Sequence, residues 1–397
     1  MDEPTRKLAW NLPLLQIKTV FCEAKFLNPI FTAFLITRGV SESEVYLLFL
    51  AFTIVTIVAE IPTGWIGDVL GRRRGLLIGT AIFAIANTAF AFASGFIAML
   101  VIQSAKALGH AFHSGTQDAL LVETSRQLNQ DVTKNNGKLS SAKYLIKIFV
   151  PFTGFPLAYW YTDGDLSDAL AWITAAFMTL ALIPTLFLIE PGAPIKKTSL
   201  RDALRPLVEH EALRMLSLHD GLRFTSSLIF WAAYILRFKA VGFTEIHLLI
   251  WYATSHLVLM IHGSFFATWI KKRIKAHNFV NYATIFTLGG TLTIALVDNV
   301  WVLVPIAFLT WVISEMRDVY YLESMNRFIP DEVRATTGSM ISFTQRIIEI
   351  PFLLVASAIA TSDNKPVFWL IAAINLILVL LPFPKVEKSK QAQAAAS

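Results

Sequence analysis

The chain has 397 residues, of which 55% are hydrophobic and 16% are charged, and its mean hydropathy is +0.57. Soluble domains average about 45–50% apolar and about 25% charged residues, so this composition excludes a soluble globular protein. The formal net charge of +6 is spread over alternate loops and not gathered in one basic patch, so no nucleic-acid partner is expected.

Apolar stretches of about 20 residues cross a bilayer as helices, and cutting the sequence at charged residues, Gly and Pro predicts about twelve of them. The predicted spans lie near residues 10–37, 44–66, 75–94, 96–124, 138–161, 166–189, 213–237, 243–270, 278–297, 300–326, 336–360 and 366–383. The predicted fold class is therefore an all-α integral membrane protein with twelve transmembrane helices, and the bilayer is its main partner.

The connection between spans six and seven is longer and more polar than the others. In it Leu200, Leu204 and Leu207 recur at helical spacing, which predicts an amphipathic surface helix. The predicted domains are a six-helix bundle at 1–190, a cytoplasmic linker at 191–212, a second six-helix bundle at 213–384 and a disordered tail at 385–397.

Lys and Arg lie mainly in alternate loops, which predicts that both termini are cytoplasmic in a multi-pass inner membrane protein. The first span follows a short charged stretch with no small-residue cleavage pattern, so it is expected to remain in the protein. Neither Cys22 nor the pair His110 and His113 has further ligands at metal-binding spacing. No metal or other cofactor is expected, and the protein is expected to be a monomer.

The stretch EIPTGWIGDVLGRRRG at 60–75 joins an apolar helix to a charged turn. Glycine permits such a turn, and arginines anchor it at anionic headgroups. Gly64, Asp68, Gly71, Arg72 and Arg73 also match the spacing G-x-x-x-D-x-x-G-R-R, which resembles the loop 2–3 signature of the major facilitator superfamily. Twelve spans, a long middle loop and the degenerate repeat WIKKRIKAHN after span eight fit the same family.

The resemblance implies two pseudo-symmetric six-helix bundles, a substrate near the membrane midplane and transport by alternating access. It also implies that Gly64, Asp68, Gly71 and Arg72 belong to a conformational latch, in which the arginine pairs with an acid at the end of span four, here Glu123. Arg73 and Arg74 are expected to be headgroup anchors.

Charged groups within spans are costly unless they are paired or hydrated, so each is a functional candidate. The first half contains more deep cations than acids: Lys18, Lys25, Lys106, Lys143 and Lys147 against Glu23, Glu60 and Asp118. This excess predicts an anionic substrate bound by Lys25, Lys106 and Lys147, with Glu23 and Arg346 also at the site.

In the second half, deep acids match or exceed the bases, and a desolvated carboxyl there is a candidate carrier of the coupling proton. The candidates are Glu315 and Asp318, then Glu349, with Glu23 and Asp118 from the first half next. Asp220 with Arg223 and Arg346 with Glu349 are three residues apart on a helix, so local structural pairing is an equal alternative.

The favoured function is secondary transport of a small polar, anionic organic solute (a polycarboxylate, a sugar acid or a carboxylate siderophore) driven by the proton gradient. The alternative is proton-driven multidrug or sugar efflux, because EIPTG, SGTQDALLVET and NRFIPDEVRAT resemble bacterial members that carry those labels. VPFTGFPLA in span five lacks the paired glycines of the antiporter signature, which weakens the efflux alternative. A non-transporting sensor is a third possibility. No catalytic motif is present, so the chain is not expected to be an enzyme.

Overall fold

The fold was analysed in a computed structural model, which describes residues 3–161, 166–191, 200–262, 269–270, 272–329, 334–381 and 383–384. All the regular elements within these ranges are helices. The helices are α1 Glu3–Ala9, α2 Asn11–Glu23, α3 Phe31–Thr37, α4 Glu42–Leu70, α5 Arg72–Phe92, α6 Phe96–Gln127, α7 Val132–Tyr161, α8 Leu166–Leu180, α9 Leu182–Leu186, α10 Leu200–Glu209, α11 Glu211–Ala240, α12 Glu245–Ile261, α13 Ala276–Leu296, α14 Val300–Met316, α15 Asp318–Asn326, α16 Arg334–Ile359 and α17 Lys365–Leu380.

Within the described residues, each predicted span overlaps one or more helices. The helices differ in how apolar they are. In the part of the chain that the structure describes, seven helical segments are long and apolar enough to cross a membrane, and two shorter apolar helices correspond to α12 and α17. The remaining predicted spans are α6, α7 and α11. These three helices contain several ionisable side chains each, which lowers their hydropathy and marks them as candidates for lining a polar site.

The first predicted span is interrupted, which the hydropathy pattern did not indicate. Helix α2 ends at Glu23, a 3₁₀ turn follows at Asn28–Ile30, and α3 begins at Phe31. Pro29 lies at the start of that turn, where its missing N–H is tolerated. The break leaves Lys25 outside regular helix, two residues after the end of α2.

The tenth predicted span is also divided, with Arg317 between α14 and α15. The Arg317 guanidinium is fully buried and donates to the Ser314 carbonyl, the Ser314 hydroxyl and the Thr284 hydroxyl at 2.7–3.2 Å. These neutral acceptors hold the arginine at the break.

The chain folds as two compact units, each with its own apolar core. One comprises Met1–Lys197 and Phe243–His256, and the other comprises Thr198–Gly242 and Leu257–Ser397. The start of α12 thus belongs to the first unit, whereas the sequence analysis placed it in the second bundle. The exact domain boundaries stay a prediction.

The predicted linker helix is observed as α10. In the second unit Leu207 packs against the cluster that contains Leu213, Leu216 and Tyr320, whereas Val208 is 70% exposed. The side chains of 200–204, the remainder of the linker at 192–199 and the tail at 385–397 lie outside the described residues.

A buried arginine joins three elements at one end of the second unit. Arg237, at the end of α11, is 1% exposed and donates to the Ile294 and Val297 carbonyls and, at 2.7 Å, to Asp298. Asp298 also accepts from Lys365 at 2.8 Å, at the start of α17. Asp298 therefore connects the α13–α14 loop to both helices.

We expect stability to depend on the ionisation of Asp298. Hydrogen bonds from Lys365 and Arg237 hold the pKa of its carboxyl below the usual value. The stabilisation is therefore complete above the usual carboxyl pKa of about 3.9 and is lost as the pH falls through the lowered native value. The thermal unfolding temperatures of Asp298→Asn and wild type in detergent should differ more at pH 7 than at pH 3. An equal difference at both pH values would contradict this assignment.

Candidate functional site

The first unit contains a cluster of cations around one carboxylate. Glu23, at the end of α2, lies 3.5 Å from the Lys25 Nζ and 3.9 Å from the Lys147 Nζ on α7. Lys143, one turn earlier on α7, is close enough to interact with Glu23 electrostatically. The three side chains of the ion pairs are 21–39% exposed, so an incoming solute can reach them. We call Glu23, Lys25, Lys143 and Lys147 the lysine cluster.

Lys106 lies close to this cluster but has different contacts. Its Nζ lies 5.4 Å from the ring centre of Phe31 and 4.7 Å from that of Phe90. It is also near enough to Lys25 for the two charges to interact. Aromatic faces attract cations, so Lys106 is stabilised in part by cation–π contacts. Lys25, Lys106 and Lys147, predicted as substrate ligands, are thus in one region.

The start of α12 adds aromatic groups to the first unit that the sequence did not indicate. Tyr252 is buried and shares a side-chain hydrogen bond with Asn28. The Tyr252 and His256 rings stack at 4.1 Å, and His256 is near enough to Lys147 for an electrostatic interaction. No spacing pattern relates α12 to α2 and α7, so these neighbours followed only from the fold.

A second charged network lies in the second unit, centred on Arg223 of α11. The guanidinium donates to Asp220 at 2.7 Å and to Asp318 at 2.9 Å. Asp220 also accepts from the Gln345 amide at 2.5 Å. The local pairing of Asp220 with Arg223 is confirmed, but Arg223 is shared with a carboxylate 95 residues away.

The predicted proton carriers differ in their surroundings. Asp318 is ion-paired and its side chain is 56% exposed, so it lacks the desolvated setting expected from the sequence, and the Asp118 residue in the first unit is also exposed. Glu349 is 1% exposed, and Glu315 is partly buried with a side-chain hydrogen bond to Ser227. Arg346 is partly buried on α16, in the second unit.

The predicted latch residues lie at the α4–α5 turn of the first unit. Gly71 has φ +95°, a conformation that favours glycine, and the Arg72 Nε lies 3.5 Å from Glu123 on α6. Glu123 is 6% exposed and Arg72 is 24% exposed. The predicted pairing of these two residues is therefore observed. A Cβ at Gly64 would meet open space, and the Asp68 side chain lies outside the described residues.

Glu190 completes this turn and was missed by the sequence analysis. Its two carboxylate oxygens accept from the backbone N–H groups of Arg72 and Arg73 at 2.6 and 2.8 Å. These donors have no partner within a helix at its first turn, and the negative charge suits the positive end of the helix dipole. Glu190 directly follows the predicted span six. That position was the only feature of the sequence that could have pointed to its capping role.

We expect Glu190→Ala to loosen the first turn of α5. A lost N-terminal cap costs about 0.5–2 kcal/mol, which corresponds to amide exchange up to about thirtyfold faster. Hydrogen–deuterium exchange over 72–75 measures this change. Glu44→Ala is the matched control, because Glu44 belongs to the capping box of Ser41 and should affect only the start of α4. Unchanged protection at 72–75 in Glu190→Ala would exclude the capping role.

Among the described residues, no three His, Cys, Asp or Glu side chains group as metal ligands. The chain matches the family model described as Major Facilitator Superfamily over residues 19–352. The chain belongs to the major facilitator superfamily. Its fold is accordingly the twelve-helix fold of that family, and the chain is a transporter of the secondary type.

Solved transporters of the major facilitator superfamily share the fold at low sequence identity. The nucleoside transporter NupG is 14% identical, with 94% of this chain and 97% of that chain covered and a TM-score of 0.70. A D-xylose-proton symporter is 14% identical, with 97% of this chain and 98% of that chain covered and a TM-score of 0.71. The human organic anion transporter MFSD10 (TETRAN) is 17% identical, with 96% of this chain and 100% of that chain covered and a TM-score of 0.62.

A curated relative supports the same family membership over a short segment. An uncharacterized MFS-type transporter of Methanocaldococcus jannaschii is 26% identical over 87 residues, which is 22% of each chain. The match thus spans about a fifth of that relative's length.

Proposed function

We propose that this transporter moves a small polar organic anion (a polycarboxylate, a sugar acid or a carboxylate siderophore) across the cytoplasmic membrane by alternating access, coupled to the proton gradient. The observation that carries this proposal is the lysine cluster, in which one carboxylate faces three ammonium groups. The distribution of Lys and Arg over alternate loops supports cytoplasmic termini.

Charge balance is the argument for an anion. The lysine cluster contains three ammonium groups and one carboxylate, so the cluster as defined carries a net positive charge, which is costly in a partly buried site. A carboxylate-bearing solute would balance the remainder and accept charge-assisted hydrogen bonds from Lys25 and Lys147. The solved relatives carry nucleosides, a sugar with a proton, and organic anions, so their fold does not select among these classes.

A ligand screen tests the proposal. Purified protein is heated with citrate, gluconate, glucose, uridine or tetraphenylphosphonium at two pH values, because a bound ligand stabilises the native state by an amount that grows with the logarithm of its concentration relative to Kd. We expect the anions to raise the unfolding temperature and the neutral compounds to have little effect. Stabilisation by the lipophilic cation alone would overturn the proposal in favour of multidrug efflux.

We expect a carboxylate of the second unit to be required for coupling. Glu315→Gln and Glu349→Gln remove a partly buried and a fully buried carboxylate, and Asp318→Asn tests the ion-paired acid. The variant that removes the proton site should lose gradient-driven accumulation and keep counterflow exchange. Uptake into proteoliposomes with and without a pH gradient separates the two activities. If all three variants still concentrate the solute, the coupling site is elsewhere, with Glu23 and Asp118 next to be tested.

A further inference from the structure

A buried lysine in the first unit is held by neutral groups. Lys18 of α2 has no exposed surface, and its Nζ bonds to the His113 Nδ1 at 2.8 Å and to the Gln117 side-chain oxygen. Among the residues that the structure describes, no carboxylate forms an ion pair with Lys18. This setting differs from that of the lysine cluster, where Glu23 contacts two ammonium groups directly.

The hydrogen bonds define which nitrogen of His113 carries its proton. The Thr80 hydroxyl donates to the Leu76 carbonyl at 2.8 Å, so its oxygen is left to accept from the His113 Nε2 at 3.1 Å. The imidazole is then neutral with its proton on Nε2, and its Nδ1 lone pair faces Lys18. If Lys18 and His113 were both protonated, two cations 2.8 Å apart would repel strongly in a buried site. At most one of the two side chains is therefore charged, and the pair holds one exchangeable proton.

The titratable neighbours of this pair lie on or just after α2, on α6 and on α7. Cys22 and Glu23 on α2, Asp118 on α6 and Lys143 on α7 interact electrostatically with Lys18. His110 and Lys25 add to the field at His113. Glu23 and Asp118 lie on α2 and α6, whereas Lys143 lies on α7, so a small shift of α7 relative to the other two helices changes the cost of keeping the proton.

We propose that Lys18 and His113 form a proton-binding pair of this transporter, a site additional to the carboxylates of the second unit. In the release step the Nζ–H bond of Lys18 breaks and the proton passes to water. The electron pair stays on Nζ, and both side chains are then neutral; the return step reverses this transfer. The proposal rests on proton coupling as the proposed function, but its test needs neither substrate nor transport.

The test is solid-state NMR of ¹⁵N-histidine-labelled protein in liposomes between pH 5 and 10, with His113→Asn used to assign the His113 signals. In the wild type we expect a neutral imidazole with Nε2–H and an Nδ1 signal that shifts as Lys18 loses its proton. In Lys18→Arg the Nδ1 signal should not shift, because arginine keeps its charge throughout this range. In Lys18→Gln, His113 should gain a proton at the acidic end.

Three results would overturn the proposal: a wild-type Nδ1 signal as constant as that of Lys18→Arg, an Nδ1–H tautomer, or a wild-type His113 that itself gains a proton. A fluorescence size-exclusion profile shows that each variant is folded before the spectra are compared. Because no solute is added, a negative result here leaves the anion proposal standing, and failure of the ligand screen leaves this assignment intact.

Discussion

Replacing Lys147 by Gln should lower the affinity for an anionic solute by about tenfold or more. A charge-assisted hydrogen bond contributes about 1.5–3 kcal/mol, and about 1.4 kcal/mol corresponds to a factor of ten in Kd. Lys25→Gln should have a similar effect, since both ammonium groups lie beside Glu23. The measurement is isothermal titration of purified variants with the anion that stabilises the wild type most in the screen.

Two comparisons sharpen this prediction. Glu23→Gln should raise the affinity, because it removes the carboxylate that competes with the solute for Lys25 and Lys147. Lys138→Gln, an exposed position on the same helix as Lys147, is the matched control and should leave the affinity unchanged. Lys106→Gln should lose less than Lys147→Gln, since the Lys106 ammonium already has two aromatic partners.

The results that would contradict the anion site are equally specific. If all three lysine variants bind as tightly as the wild type, the lysine cluster does not contact the solute. If Glu23→Gln weakens binding as much as Lys147→Gln does, Glu23 positions the lysines or contacts the solute itself, and the competition argument is wrong.

Arg72→Ala should impair transport while changing solute affinity little. The Arg72–Glu123 pair is 3.5 Å apart and partly exposed, so its loss is expected to cost about 1–2 kcal/mol, below the cost of breaking a fully buried pair. If the pair stabilises one state of the transport cycle, that loss changes the ratio of states about five- to thirtyfold. The same outcome is expected for Asp68→Asn, on the resemblance of the motif.

Cysteine accessibility measures this shift of conformation. Cys22, the one cysteine of the sequence, is first replaced by Ser, and single cysteines are then placed at the predicted extracellular ends of spans. Labelling rates should change in Arg72→Ala and Asp68→Asn. They should not change in Arg74→Ala, which removes a neighbouring charge that the signature does not include. Equal labelling in all variants would exclude a latch at this turn.

The sequence by itself determined the membrane class, the approximate spans and the α4–α5 turn. Hydropathy is a local property, and each span must satisfy its backbone hydrogen bonds within itself, so apolar length identifies a helix without knowledge of its neighbours. Gly71 with its positive φ was predictable because few other residues tolerate that conformation. The partner of Arg72 followed from the family resemblance and is observed as Glu123.

Most contacts between charged or polar groups far apart in the sequence were decided only by the tertiary structure. Lys18 and His113 are 95 residues apart, Arg223 and Asp318 are also 95 residues apart, and Glu190 reaches α5 across 118 residues. Helical periodicity relates residues three or four positions apart, so it predicted the contact between Asp220 and Arg223. It could not predict that Arg223 also donates to Asp318. The breaks after Glu23 and at Arg317 were likewise missed, because an apolar run of sufficient length looks the same whether the helix is continuous or interrupted. Long-range partners depend on how helices pack, and that packing is what determines which intramembrane charges are paired and which share a proton.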